Sequence, residues 1–251
     1  MPSYTFTPSI LRGAGTRAVP EIPAGSSFPN TFSLSFDGTD DITSGSLSDG
    51  TIHGSRTLSF WIKLANNNTN MMIAQFNGST TSNYFSVRRH SGGSLFIGSK
   101  GASANGKSTG ALDLTNWTHV LATKTGGGSS AVQTVFINGV ETVSGGATVN
   151  AGTVSKTIIG KIGTIGYYGG DMEGEIDEIS IFEGHLTSSA NVSTIYNGGV
   201  PGDLTDLNPL LWYRCGDIVN ASGSNVPSQG SNTEGDLVLL NDASFSTSVP
   251  T

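Results

Sequence analysis

Apolar and polar residues alternate along Thr31-Phe32-Ser33-Leu34-Ser35-Phe36, and again from Arg56 to Leu64, where Leu58, Phe60, Ile62 and Leu64 fall on one side. A period of two marks a strand that buries one face and leaves the other to solvent or to a second layer. Shorter β-branched and aromatic runs follow at Met71–Phe76, Tyr84–Arg89, Ser94–Ile97, Trp117–Thr123, Val132–Ile137, Thr157–Ile159 and Glu175–Phe182. Asn138-Gly139 between two of them is a strong hairpin signal, because both residues tolerate positive φ. Other gaps carry Gly92-Gly93, Gly126-Gly127-Gly128 and Gly145-Gly146. Many short strands with glycine-rich turns predict an all-β chain folded as an antiparallel β-sandwich or jelly roll. One helix is expected, from Thr187 to Asn197. Thr187 or Ser188 caps it, Val192, Ile195 and Tyr196 form its apolar stripe, and Gly198-Gly199 stop it.

Of 251 residues, 35 are glycine and only 12% are charged, so the polarity is mostly uncharged and hydrogen-bonding. The net charge is −7 and no basic stripe exists, which argues against nucleic acid as a partner. Arg88-Arg89-His90, the one basic cluster, reads as a solvated strand end. The single cysteine, Cys215, excludes an intrachain disulfide and reads as a small buried hydrophobe. No basic-then-apolar leader opens the chain, and no apolar run approaches the ~20 residues that cross a bilayer, so neither a signal peptide nor a membrane contact is expected.

Three segments emerge. Residues 1–30 hold Pro2, Pro8, Pro20, Pro23 and Pro29 and read as an extended arm. Residues 31–200 form the sandwich. Residues 201–251 contribute further strands, at Leu210–Arg214 and Leu237–Leu240, that complete the sandwich or are appended to it.

Chemistry concentrates in Gly174-Glu175-Ile176-Asp177-Glu178-Ile179-Ser180-Ile181-Phe182, where carboxylates interrupt a strand. In a regular strand Glu173, Glu175 and Asp177 share one face. Paired carboxyls ~5–5.5 Å apart would suit retaining glycoside hydrolysis. Gly174 inside the strand and the lack of a close aromatic count against that chemistry. His53, His90, His119 and His185 are scattered, with no ligand pair on one element, and no serine stands out as a nucleophile.

Several segments resemble, in order, the laminin-G-like, concanavalin A-like lectin/glucanase jelly rolls. They are Ser33–Asp41, Leu58-Ser59-Phe60-Trp61-Ile62-Lys63, Asn116-Trp117-Thr118-His119-Val120, Val135–Val140 and Gly174–Phe182, followed by Leu186-Thr187 and the short helix. The resemblance implies two antiparallel sheets face to face, and it places Asp177 on a strand next to Asp37. It further implies a structural calcium, held by Asp37, Asp40 or Asp41 together with Asp177, although Asp37-Gly38-Thr39-Asp40 also fits a turn closed by its own side chains. Sugar binding is the family's usual role. Tyr167 and Tyr168 on a glycine-flanked loop, with Asn67, are the candidate glycan contacts, ahead of Trp61 and Trp117. The tail, from Trp212-Tyr213-Arg214-Cys215-Gly216-Asp217 to Ser244–Pro250, is similar to the ends of bacteriophage-encoded members. The resulting expectation is a non-enzymatic, homo-oligomeric protein of the virion surface, a capsid decoration or appendage component docked on the shell by its arm. Glycan attachment is the alternative and glycoside hydrolysis the third reading.

Overall fold

The computed structural model describes residues 28–39, 42–46, 54–66, 71–77, 84–90, 92–98, 106–126, 128–149, 156–159, 171–217, 223–231 and 235–251. Its strands, in chain order, are β1 (Ser33–Asp37), β2 (Ile42–Ser46), β3 (Arg56–Leu64), β4 (Met71–Asn77), β5 (Tyr84–Arg89), β6 (Ser94–Gly98), β7 (Gly106–Ala111) and β8 (Thr118–Lys124). Then come β9 (Gly128–Ile137), β10 (Val140–Val149), β11 (Lys156–Ile159), β12 (Glu173–Glu183), helix α1 (Ser189–Tyr196), β13 (Leu211–Tyr213), β14 (Asn225–Val226), β15 (Leu237–Leu240) and β16 (Ser244–Ser246). Two eight-stranded antiparallel sheets result, in the orders β10-β9-β8-β3-β12-β1-β16, with β13 also on β12, and β14-β15-β2-β11-β4-β5-β6-β7.

The alternation seen in the sequence sets the layers. Leu34, Phe36, Leu58, Phe60, Ile62, Leu64, Val120, Ile176, Ile179 and Ile181 point from the first sheet into one core with Ile73, Phe85, Val87, Leu95 and Ile97 of the second. Burying such a side chain contributes about 1.5–3 kcal/mol, so these two rows hold the sheets together. Cys215 packs in the same core. The segment after residue 201 does not stand apart: β13 and β16 join the first sheet, and β14 and β15 the second.

The other face of the first sheet is also covered. Leu121, Phe136, Phe182 and Trp212 face outward and take Val192 and Ile195 of α1 onto them. Ser188 caps the helix by accepting from Asn191 N at 3.2 Å, and Asn197 ends it in the left-handed region. Trp61 lies buried in a cluster of three rings, 5.1 Å from His119 and 6.0 Å from Tyr196, so it serves as packing rather than as a sugar platform. Asn138 and Gly139 turn the β9–β10 hairpin with φ of 50° and 76°.

The basic cluster is not a solvated end. Arg88 and Arg89 are buried, with the Arg88 guanidinium 4.6 Å over the Phe96 ring and Arg89 donating to Leu112 O at 2.8 Å. A guanidinium is weakly hydrated and stacks on rings, so a sheet accommodates it where an ammonium would resist.

Gly174 is the tightest point of the β1–β12–β3 ladder. Its φ is +147°, and a Cβ there would lie 2.3 Å from Lys63 O. Gly174→Ala should cost at least about 2 kcal/mol, from backbone strain plus steric overlap, read as a lowered midpoint in urea unfolding.

Candidate functional site

Strand β12 pairs regularly with β3 from Gly174↔Leu64 to Asp177↔Trp61, then shifts register before Ser180↔Ser59. The extra residue is Glu178, held at φ +48°. A bulge of this kind aims two consecutive side chains to one side. With Ile176 and Ile179 both in the core, Asp177 and Glu178 both lie on the outer face. Each is almost fully buried there.

Glu178 is well partnered. Its Oε2 accepts from Trp212 Nε1 at 2.6 Å, and its Oε1 accepts from Arg214 Nε at 3.1 Å. Burial nevertheless pushes its carboxyl up to about 7, against the pull of the Arg214 charge and the Trp212 N–H. Burial first, and the adjacent Glu178 carboxylate second, push Asp177 well above the usual carboxylate range. Asp177 Oδ1 accepts Glu178 N at 2.8 Å. Over this pair runs the chain entering β1. Phe28 stacks on Trp212 at 5.9 Å and takes the Arg214 guanidinium on its ring at 3.8 Å, while Arg214 also donates to Pro29 O. Asp217 accepts Thr31 N at 2.9 Å.

Toward the start of β12 the outer face opens to solvent. A groove of about 370 Å³ is lined by Ser35 and Asp37 of β1, Lys63 of β3 with Ala65 just beyond it, and Glu173 and Glu175 of β12. The register explains the grouping: Glu175 lies opposite both Ser35 and Lys63, and Glu173 opposite Asp37. Lys63 Nζ donates to Glu175 Oε2 at 2.9 Å, Ser248 Oγ donates to the same oxygen at 2.8 Å, and Ser246 Oγ donates to Oε1 at 2.8 Å. Burial raises the Glu175 pKa, but these bonds outweigh it and the net shift is downward. Asn66 Nδ2 donates to Glu173 Oε2 at 2.8 Å. The groove is thus walled by charged and amide groups already held in place.

Not all the expected site residues meet here. Asp37 is at the groove, but its Oδ1 is taken by Thr39 N and Thr39 Oγ1, both at 2.7 Å, which is the self-closed turn. Asp177 stands four register positions away along β12, about 13 Å at strand spacing. Calcium ligands sit within ~2.3–2.6 Å of the ion, so Asp37 and Asp177 do not form one site. Among the described residues no three His, Cys, Asp or Glu side chains are grouped to hold a metal. Asp40, Asp41, Asn67, Tyr167 and Tyr168 lie outside the described residues. Glu175 is half-buried and ion-paired with Lys63. Sequence reasoning passed over Lys63, Arg214, Ser246 and Ser248. A lone lysine on the outward side of an apolar strand was the available signal for Lys63.

Comparison with known proteins decides the family. A family profile described as concanavalin A-like lectin/glucanases superfamily matches residues 36–190. The chain belongs to this superfamily. Among solved structures it is similar to a Bacteroides ovatus protein provisionally described as carbohydrate binding, at 16% identity and TM-score 0.63, covering 88% of this chain and 62% of that one. It is also similar to a heptameric SAP-like pentraxin of Limulus polyphemus, at 18% identity and TM-score 0.56, covering 87% and 96%. At these identities the likeness is one of fold. This superfamily member therefore spans less than two thirds of the Bacteroides protein's length. A search of curated proteins finds no match.

The Lys63–Glu175 tie gives a signed pH effect. A lowered carboxyl pKa contributes stability above its ordinary value of 4.5, and that stability is lost as pH falls through the folded value. Lys63→Met should move the onset of acid unfolding to higher pH in a circular-dichroism titration. Near neutral pH it should cost no more than about 1 kcal/mol, since the lysine is partly solvated.

Proposed function

We propose that this chain is a non-catalytic carbohydrate-binding domain whose groove between β1, β3 and β12 receives saccharide hydroxyls. The observation that carries this reading is the groove itself. It is an open concavity of about 370 Å³ on a lectin-type sandwich, with Asp37, Lys63, Glu173 and Glu175 along its walls. Asn66, bonded to Glu173, stands beside it. Cross-strand ties fix Lys63 and Glu175 before any ligand arrives, which limits the ordering cost of binding. The description of the Bacteroides ovatus relative points the same way, although fold alone does not assign function.

Connectivity supports a role for the expected glycan contacts. Asn67 follows directly on Asn66, and the segment with Tyr167 and Tyr168 leads into β12, where Glu173 lines the groove. Stacking on a tyrosine would supply the apolar half of sugar recognition that the groove walls lack.

Hydrolysis fits less well. A glycosidase needs one carboxyl protonated and another within ~5–5.5 Å or 6.5–9.5 Å, both reaching the sugar. Glu175 is held ionised by Lys63, Ser246 and Ser248, so it cannot supply the acid. The two carboxyls with raised pKa values, Asp177 and Glu178, are almost fully buried beneath the chain entering β1. A role at a virion surface draws nothing from the groove and is not part of this reading.

A glycan array probed with the full chain should give discrete positives. Asn66→Ala with Glu173→Gln, and separately Tyr167→Ala, should weaken them by about tenfold or more at an unchanged melting temperature. A blank array from folded protein would refute the proposal.

A further inference from the structure

The buried end of β12 poses a separate problem. The carboxyls of Asp177 and Asp217 lie near Glu178, whose own partner is the Arg214 guanidinium. Arg214 is committed to Glu178 Oε1 and Pro29 O. Asp217 is committed to the backbone N–H groups of Thr31 and Phe32. Among the described residues Asp177 is left with no cation. The other elements packed on it offer none: β3 contributes Trp61, and β8 beyond it contributes His119, which burial holds neutral with a pKa of about 3. Cys215, after β13, is a buried thiol.

Two acceptor atoms in this cluster lack donors. Asp177 Oδ2 and Asn30 Oδ1 are buried, and among the described residues neither has a hydrogen-bond partner. The Asn30 side chain faces the Asp177 carboxyl, where its amide N–H favours the ionised form against the larger effect of burial, and Asn30 Nδ2 also donates to Pro250 O at 3.1 Å. Leaving an ionised carboxylate oxygen buried and unpaired costs several kcal/mol. Calcium would be a poor remedy, because among the described residues no three His, Cys, Asp or Glu side chains converge here to hold it.

We propose that Asp177 is held as the neutral acid in the folded protein, and that its proton, given to Asn30, latches residues 28–32 across β12. One proton supplies the missing donor, removes one uncompensated negative charge, and ties down the segment through which residues 1–27 join the sandwich. The upward shift at Asp177 agrees in direction. Its consequence has a definite sign. A group whose folded pKa is raised stabilises the fold at low pH and loses that contribution as pH rises through the folded value. Alkaline conditions should therefore loosen the Phe28–Trp212 stack first.

Asp177→Asn keeps the shape and a donor while removing the titration. In the full chain, the wild-type thermal midpoint should fall from about pH 5 to about pH 8 more steeply than the variant's, leaving the variant about 2–4 °C higher at the upper pH. The Trp212 indole N–H resonance should shift with the same titration in the wild type. Infrared spectra with isotope-labelled aspartate should show a protonated carboxyl at neutral pH in the wild type, and this readout stands even if the variant does not fold. Absence of that band overturns the proposal. So does a variant destabilised equally at both pH values. So does calcium raising the wild-type midpoint but not the variant's, since Asp177 would then act as an ionised ligand.

Discussion

The outer face of the first sheet depends on the bulge at Glu178. Without it, Asp177 and Glu178 would alternate, and one of them would enter the core between Ile176 and Ile179. A carboxylate there would cost several kcal/mol with nothing to offset it. The bulge turns both outward, where Trp212 and Arg214 satisfy Glu178 and where the chain entering β1 closes over Asp177. It also shifts the pairing with β3 by one residue, so Ile181 still faces inward opposite Leu58. Both apolar layers, the sandwich core and the shell under α1, depend on that one-residue shift.

Much of the fold was legible because period-two patterning is a direct record of burial. Leu34 to Phe36 and Leu58 to Leu64 announce which face is core, and Asn138-Gly139 announces a hairpin. Among the strands that escaped are β2 (Ile-Thr-Ser-Gly-Ser), β7 (Gly-Lys-Ser-Thr-Gly-Ala) and β10 beyond Val140, all serine-, threonine- and glycine-rich. They owe their conformation to ladder hydrogen bonds from neighbours, which leave no mark on composition. β7 and β10 are also sheet edges, where weak apolar patterning guards against unwanted pairing.

The site was legible only as a list of acids. Their fates differ because depth differs, and depth is set by partners distant in sequence. Glu173 is exposed and shares a hydrogen bond with Asn66. Glu175, two residues on, is half-buried and meets Lys63, Ser246 and Ser248 from two other strand ends. Asp177 and Glu178 lie under residues that include Phe28, from a region the sequence marked as an arm. Arg88 and Arg89 taught the same lesson: an arginine pair looks solvated until a ring such as Phe96 is brought beneath it.

This gradient along one strand bears on what the groove can do. Acid–base catalysis on a sugar requires two carboxyls at similar depth with opposed protonation states, both in reach of one ligand. Here the states are opposed but the depths differ. The carboxyl held ionised stands at the solvent edge, and those inclined to keep a proton are behind a layer of packed chain. Exchanging these roles would require lifting Phe28 off Trp212 and breaking the Arg214 bridge, which dismantles the shell that makes Glu178 titrate near 7 in the first place. The arrangement therefore favours holding a polar ligand at one end of β12 and holding the chain itself at the other.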